Sequence, residues 1–241
     1  MSSVVHLIRD TPIAKAGIRR LPTSQEEILR RTAMKVLFVN GSSHENGTTM
    51  AAINEMEKVF HEDGIETEVI QLGKAPISDC LQCGYCNKHN ECVIQDDGVN
   101  EFVRKAHGAD GFVIASPVYY AHPSGRIFDF LDRAFFCTDK KAFMFKPGAS
   151  IAVARRAGTT ATLDALNKYF TISQMPLAGS TYWNMVHGSV ASDAPKDEEG
   201  MQTMRNLARN MIWMMRCIEA GKAAGVSYPD FEEGAKTNFI R

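Results

Sequence analysis

The chain has 241 residues, a length that suffices for one domain with a large core and an extension. Its formal net charge is −1, and its apolar and charged fractions are those of an ordinary globular protein. A nearly neutral surface attracts neither nucleic acid nor an anionic membrane strongly, so both are excluded as main partners. No apolar run approaches the roughly 20 residues that span a bilayer, and the first residues lack the apolar block of a signal peptide, so we expect a cytoplasmic protein.

Residues 1–33 differ in composition from the rest of the chain. They carry scattered proline and glycine, an excess of basic residues and little periodicity. A helix is predicted to begin at Ser24, where a capping residue precedes acids in the first turn. We interpret this segment as an N-terminal arm that packs on its own or a neighbouring subunit. The alternative, a targeting peptide, is disfavoured by Asp10, Glu26 and Glu27.

Residues 34–241 form a second predicted domain, in which strand and helix patterns alternate and a cysteine-rich loop at residues 80–92 is inserted. The predicted strands, in chain order, are residues 35–40, 66–71, 111–115 and 150–154, with a weaker fifth at 175–180. The predicted helices are residues 48–62, 99–106, 125–136, 160–170 and 197–223. This alternation, with helices of this length, implies parallel strands with helices on both faces of the sheet. The predicted fold class is therefore α/β, a doubly wound five-stranded parallel sheet.

The loop between the first strand and the first helix, residues 41–49, has the composition of an anion site. Its glycines, serines and threonines lead into a helix N-terminus, where backbone N–H groups and hydroxyls can surround an anion. A nucleoside-triphosphate loop is excluded because Thr48 stands where that motif needs lysine, and the Gly-x-Gly-x-x-Gly of a dinucleotide site is missing. We predict a pocket for a terminal phosphate monoester; the alternative is a plain polar turn. The candidate contacts are Ser42, His44, Asn46, Thr48 and Thr49.

Two further loops follow the third and fourth predicted strands, at the sheet edge where parallel sheets bind ligands. In residues 116–125, aromatic side chains beside prolines form a rigid wall on which a flat ring can stack. The candidates there are Pro117, Val118, Tyr119 and Tyr120. In residues 155–160, glycine and hydroxyl groups lead into a helix and offer N–H donors. The candidates there are Arg155, Arg156, Gly158 and Thr159, although both arginines can equally be solvated surface residues.

The third motif is a set of four cysteines spaced Cys-x2-Cys-x2-Cys-x5-Cys. The candidate ligands are Cys80, Cys83, Cys86 and Cys92. Consecutive two-residue gaps place thiolates around one small centre, as iron–sulfur ligation does. Zinc fits less well because its sites usually separate two pairs by a longer span, and disulfides across such gaps are strained. A redox-active or vestigial loop is the other alternative, and we interpret Cys137 and Cys217 as buried small apolar residues.

These loops together resemble the NAD(P)H-dependent FMN reductase group of flavodoxin-like proteins. Residues 41–49 resemble its Gly-Ser-Pro-Arg-x-x-Gly-Asn-Thr signature, with Ser43 in place of proline and His44 in place of arginine. Residues 116–119 resemble its Ser-Pro-Val-Tyr stretch, and residues 130–133 its Phe-Ile-Asp-Arg stretch. The cysteine spacing is similar to that of iron–sulfur flavoproteins, which carry a [4Fe-4S] cluster beside FMN.

The resemblance implies a flavodoxin-like fold and an oxidoreductase in which NAD(P)H reduces FMN. Reduced FMN would then pass electrons to a small acceptor such as a quinone or flavin, or through a [4Fe-4S] cluster at the cysteine loop to a redox protein. No acid–base residue is required for hydride transfer to the flavin. Candidates for lining the open face of the ring are Tyr119, His122, Trp183 and His187.

The resemblance also implies a homodimer or homotetramer with flavin sites near its interfaces. Two other classes of function stay open. A non-enzymatic electron carrier of the flavodoxin kind is typically shorter and strongly acidic, unlike this chain. A redox sensor would need a partner surface, and the sequence offers none for nucleic acid.

Overall fold

The computed structural model describes residues 34–232, 234–235 and 237. These residues belong to one unit, Ala33–Arg241. The N-terminal arm and the helix predicted from Ser24 lie outside the described residues. None of the helices among the described residues is long and apolar enough to cross a bilayer.

The centre of the described structure is a parallel sheet. Its strands are β1 (Lys35–Asn40), β2 (Glu66–Gln71), β3 (Gly111–Tyr119), β4 (His122–Pro123), β5 (Gly148–Ala154) and β6 (Met185–His187). Five of them lie parallel in the order β2-β1-β3-β5-β6, and the two-residue β4 pairs antiparallel with the end of β3. The predicted five-stranded parallel sheet is confirmed.

The helices connect the strands on both sides of the sheet. They are α1 (Thr48–Glu62), α2 (Cys86–His89), α3 (Val99–Ala106), α4 (Gly125–Cys137), α5 (Thr159–Ile172) and α6 (Glu198–Ala223), with short 3-10 turns at Lys140–Ala142 and Ala191–Lys196. The five long helices are confirmed, with bounds that differ from the prediction by two residues at most. The four-residue α2, inside the cysteine loop, was not predicted.

Side chains from alternate residues of β1 enter two separate cores. Val36 and Phe38 pack against α1 and α6 on one face of the sheet. Leu37 and Val39 pack against α3, α4 and α5 on the other. This alternation follows from the two-residue period of a strand, and burial on both faces explains why the strand is apolar throughout. The doubly wound arrangement is therefore confirmed.

The prediction of a strand at residues 175–180 is wrong. The backbone there forms one isolated bridge, between Gly148 and Leu177. Met175 and Ala178 are buried, which explains the apolar pattern, but Pro176 has no N–H to donate to a neighbouring strand. The fifth parallel strand is instead β6, which pairs with the end of β5.

The segment expected to be a loop after residue 115 is largely strand. Pro117, Val118 and Tyr119 continue β3, and Pro117 pairs with Val153 in β5. The turn begins at Tyr120, whose φ of 63° lies in the left-handed region. The chain then returns into β4, so the predicted wall is a tight antiparallel ribbon rather than an open loop.

Candidate functional site

The segments that follow β1 and β5 meet the end of β3 and its turn at one edge of the sheet. Because these strands are parallel neighbours, their carboxyl ends lie side by side. The Ser43 Oγ and Tyr119 hydroxyl oxygens are 3.1 Å apart, which joins the first segment to the second. A Cβ built on Gly158 would lie 2.7 Å from Val118 Cγ1, so the third segment packs directly on the second. The structure thus brings the three predicted segments together.

The backbone of the first loop is held by buried polar groups. Asn40 Oδ1 accepts a hydrogen bond from the Ser42 N–H at 3.0 Å. Ser42 Oγ accepts from the His44 N–H at 3.1 Å, and Gln71 Nε2 donates to the Ser42 carbonyl at 2.7 Å. These bonds fix the path of the loop.

Gly41 makes the closest approach in this region. A Cβ at this position would lie 2.6 Å from Ile127 Cδ1 and 3.2 Å from the Ala115 carbonyl oxygen. The Ser124 hydroxyl donates to the Gly41 carbonyl at 2.9 Å. The N-terminal end of α4 is therefore packed against the first loop.

The N-terminus of α1 offers unpaired donors at the end of the first loop. Its capping residue, Gly47, has no side chain to accept from the first turn, and that turn contains no acidic residue. Thr48 and Thr49 are buried, Thr49 to 2% exposure, and neither hydroxyl hydrogen bonds to another described residue. His44 and Asn46 are exposed at the tip of the loop. Backbone N–H groups and free hydroxyls at a helix N-terminus fit a phosphate group.

The second segment presents aromatic rings to solvent. Tyr119 and Tyr120 are both exposed, while Pro117 and Val118 are half-buried beneath them. The Ser124 N–H donates to Ser116 Oγ at 3.0 Å, which closes the ribbon. A rigid aromatic surface beside the phosphate-type loop fits a planar ring.

The third segment ends at an uncapped helix. Gly158, with a φ of 91°, precedes α5 and has no side-chain cap to offer. Thr159 is buried with its hydroxyl 3.4 Å from the sulfur of Met185. Arg155 and Arg156 are exposed, and neither pairs with another described residue. This segment therefore carries two unneutralised cations at the edge of the site.

The four residues proposed to line an open ring face occupy different positions. Tyr119 lies in the ribbon as described, and His122 faces Phe128 with ring centroids 6.0 Å apart. His187 ends β6, and its N–H donates to Asp197 at 2.6 Å. Trp183 is 59% exposed and contacts Tyr182 edge to face.

The cysteine loop lies in the connection between β2 and α3. Cys80, Cys83, Cys86 and Cys92 line one cavity together with Arg133, Phe136 and Cys137. All six cysteines of the chain are free thiols. The prediction that Cys137 is buried is confirmed, whereas the same prediction for Cys217 is wrong because its side chain is exposed on α6.

The arrangement of these cysteines distinguishes between kinds of metal site. In the described part of the chain, no three His, Cys, Asp or Glu side chains converge to hold a single metal ion. A [4Fe-4S] cluster is held by four cysteine thiolates that surround it. Four cysteine side chains that line one cavity supply the ligand set that such a cluster requires.

Arg133 is a functional candidate that sequence reasoning missed. Its side chain is 1% exposed and forms an ion pair with Asp97. Its Nε–H donates to the Cys92 sulfur at 3.2 Å, and its other nitrogens donate to the Ser78 and Ile94 carbonyls, each at 3.2 Å. Burial acts to lower the pKa of Arg133, but the hydrogen bonds to Asp97 and Cys92 outweigh it and leave that pKa raised.

A sequence signal for Arg133 does exist. The apolar stripe of α4 consists of Ile127, Phe130, Leu131, Ala134 and Cys137, all buried. Arg133 lies three residues after one member and four before another, so helical spacing places it on the same face. A charged residue on an apolar stripe needs a buried partner.

The chain is similar in sequence to known proteins. A family model described as NADPH-dependent FMN reductase matches residues 34–189. An iron–sulfur flavoprotein of Methanocaldococcus jannaschii is 30% identical over 193 residues, which cover 77% of this chain and 100% of that protein. One of Methanosarcina thermophila is 27% identical over 193 residues, 78% of this chain and 99% of that protein.

Solved structures agree at the level of the fold. A flavone reductase superimposes with a TM-score of 0.59 at 19% identity, covering 77% of this chain and 64% of that chain. A flavodoxin from an archaeon superimposes with a TM-score of 0.50 at 11% identity, covering 76% of this chain and 99% of that chain. The fold is flavodoxin-like, and the chain belongs to the NADPH-dependent FMN reductase family of oxidoreductases.

Proposed function

We propose that this protein is an FMN-dependent oxidoreductase that uses NAD(P)H as the hydride donor and reduces a small acceptor such as a quinone or a flavin. We further propose that the cysteine loop holds a [4Fe-4S] cluster as a second redox group, which would pass electrons to a redox protein. The observation that carries the proposal is the meeting of a phosphate-type loop and an aromatic ribbon, joined by Ser43 and Tyr119. None of the six cysteines forms a disulfide bond, which suits a reducing cytoplasm.

Each of the three segments has a separate role in this proposal. Ser42, Thr48 and Thr49 would bind the terminal phosphate with hydroxyls and helix N–H groups, helped by His44 and Asn46 at the tip. When bound, FMN supplies the chemistry, accepting a hydride at its ring and releasing electrons to the acceptor.

The other two segments would hold and tune the ring. Pro117, Val118, Tyr119 and Tyr120 would provide the surface on which it stacks. Gly158 and Thr159 at the start of α5 would provide N–H donors, and Arg155 or Arg156 would place positive charge near the ring. No side chain is required to move a proton during hydride transfer.

The proposed cluster would be held by Cys80, Cys83, Cys86 and Cys92. Support comes from the cavity that the four thiols share and from the relatives that are named iron–sulfur flavoproteins. Helix α4 begins at the aromatic ribbon and reaches the cysteine cavity at Arg133. The eight residue steps from Gly125 to Arg133 correspond to about 12 Å of helix at 1.5 Å per residue.

We also propose that the chain acts as a homodimer or homotetramer that covers the open face of the ring. The exposed pair Tyr182 and Trp183 lies just before β6, where aromatic surface is available to a second copy. Light scattering should give a multiple of the chain mass. A monomer, for both the full chain and a chain starting at Met34, together with full NAD(P)H activity, would contradict this proposal.

One preparation tests the main proposal. The protein is purified anaerobically, heat-released cofactor is identified by mass, and iron and sulfide are measured per chain. FMN, about four irons and oxidation of NADH or NADPH with added quinone or free FMN are expected. FAD or no flavin after reconstitution would contradict the flavin assignment, and bound FMN without NAD(P)H oxidation would favour an electron carrier.

A further inference from the structure

Arg133 connects the rigid part of the domain to both ends of the cysteine loop. It lies on α4 between Leu131 and Ala134, which are fully buried, so its backbone cannot follow movements of the loop. Its guanidinium bonds the carbonyl of Ser78 before the four cysteines and that of Ile94 after them. The side chain therefore fixes where the loop begins and ends.

The same guanidinium also contacts a cysteine sulfur. Its Nε–H lies 3.2 Å from Cys92 Sγ, while its Nη2 donates to Asp97 at 3.2 Å. The donor and the opposing carboxylate are both largely removed from water, at 1% and 10% side-chain exposure. Charges so placed are weakly screened by solvent.

We propose that Arg133, opposed by Asp97, sets the reduction potential of the [4Fe-4S] cluster that the cysteine loop is proposed to hold. The inference rests on the proposed function. Adding one electron to a cluster places more negative charge on its sulfur ligands. Hydrogen bonds to those sulfurs and nearby net charge are recognised controls of the potential. Arg133 favours the reduced form and Asp97 favours the oxidised form.

Substitutions at the two positions should shift the potential in opposite directions. Arg133→Gln removes the cation and leaves Asp97 unneutralised, so reduction becomes harder. Asp97→Asn leaves the guanidinium unneutralised, so reduction becomes easier. Arg133→Lys keeps the charge without the planar fork and should lie between Arg133→Gln and the unchanged protein. A purely structural loosening of the loop would not produce opposite signs.

The chain offers a matched control on the same helix. Arg126 is half-buried and donates to the carbonyls of Lys74 and Ala75, with no sulfur among its partners. Arg126→Gln removes the same charge and the same kind of backbone contact, and it should leave the potential unchanged.

The test is a dithionite titration of the cofactor-loaded variants, followed by the electron paramagnetic resonance of the reduced cluster. We expect Arg133→Gln to lower the midpoint potential of the cluster by at least about 59 mV, which is a tenfold change in the one-electron equilibrium constant. Asp97→Asn should raise it. Iron content and thermal unfolding are measured on every variant.

The outcomes separate this inference from the proposed function. If the variants keep full iron content and have the midpoint potential of the unchanged protein, or if both shift it in the same direction, the tuning role is overturned. The assignment of the cluster is not affected by that result. Absence of iron from the reconstituted unchanged protein overturns the cluster and the tuning role together. If Arg133→Gln does not retain iron, Arg133→Lys and Asp97→Asn still give the sign comparison.

Discussion

The hydroxyl of Tyr119 lies 3.1 Å from Ser43 Oγ, so a residue at the end of β3 is bonded to the loop that follows β1. This bond joins the segment proposed to hold the phosphate to the segment proposed to hold the ring. The affinity for a ligand that contacts both segments is expected to depend on this hydrogen bond.

Tyr119→Phe removes this bond and keeps the aromatic ring. We expect FMN affinity to fall by about 0.5–1.5 kcal/mol, the usual worth of a neutral hydrogen bond, up to roughly tenfold in Kd. Tyr120→Phe is the control, because the exposed Tyr120 hydroxyl bonds to no other described residue. Fluorescence titration of the flavin-free protein gives both values, and equal losses for the two variants would contradict the role of the bond.

Replacing Thr48 and Thr49 together by alanine removes the hydroxyls of two buried residues, neither of which has a partner among the described residues. We expect FMN binding to weaken by a few kcal/mol, given about 1.5–3 kcal/mol for a hydrogen bond to a charged group. Riboflavin lacks the phosphate, so its affinity should not change. Thr171→Ala, at the far end of α5, is the control variant. An equal loss for both ligands would place the phosphate elsewhere.

Gly158→Ala tests the packing of the third segment on the second. The left-handed backbone costs an alanine roughly 1–2 kcal/mol, and its Cβ would also meet Val118 at 2.7 Å. Gly73 has a φ of 63° with no atom within 4 Å of a Cβ, so Gly73→Ala carries the backbone cost alone. Urea unfolding should show both losses, and FMN titration should show a loss for Gly158→Ala only.

The stability of the domain should depend on pH through Glu68. Hydrogen bonds from Lys105 and then Lys35 hold the pKa of Glu68 below its ordinary value of 4.5. A carboxyl with a lowered folded pKa stabilises the fold above pH 4.5, and this contribution is lost as the pH falls through the folded pKa.

Glu68→Gln should therefore lower the free energy of unfolding at pH 7 by about 0.2–1 kcal/mol, as for screened surface pairs. The difference from the unchanged protein should vanish in acid and shrink in high salt. Glu66→Gln, at the exposed start of β2, is the control. Urea unfolding across this pH range checks the effect, and a constant difference at every pH would contradict it.

The sequence was most informative where local and tertiary preferences agree. Helix α1 has the predicted bounds, because Gly47 precedes it and its apolar stripe faces the core. The central strands are apolar on both faces, a pattern that few other structures produce. The strand at residues 185–187 could not be predicted, because three residues show no period and its partner β5 is far away in the chain.

The candidate site likewise contains features that local sequence indicates and contacts that depend on the tertiary structure. Its loops are recognisable from glycine and hydroxyl spacing, whereas the Arg133–Asp97–Cys92 arrangement joins residues up to 41 positions apart. Such a contact depends on where α4 lies relative to the cysteine loop. Local sequence carries only the weaker signal that Arg133 lies on an apolar stripe.

The close approach of Gly41 to Ile127 constrains how this site can change over time. A Cβ at position 41 would meet the δ-methyl group of Ile127 at 2.6 Å, the Cβ of Ile127 at 3.0 Å and the Ala115 carbonyl oxygen at 3.2 Å. The δ-methyl group can rotate away, whereas the carbonyl oxygen belongs to the backbone of β3 and cannot. Libraries that vary the loop are therefore expected to recover mainly glycine at position 41, whether or not position 127 is varied with it.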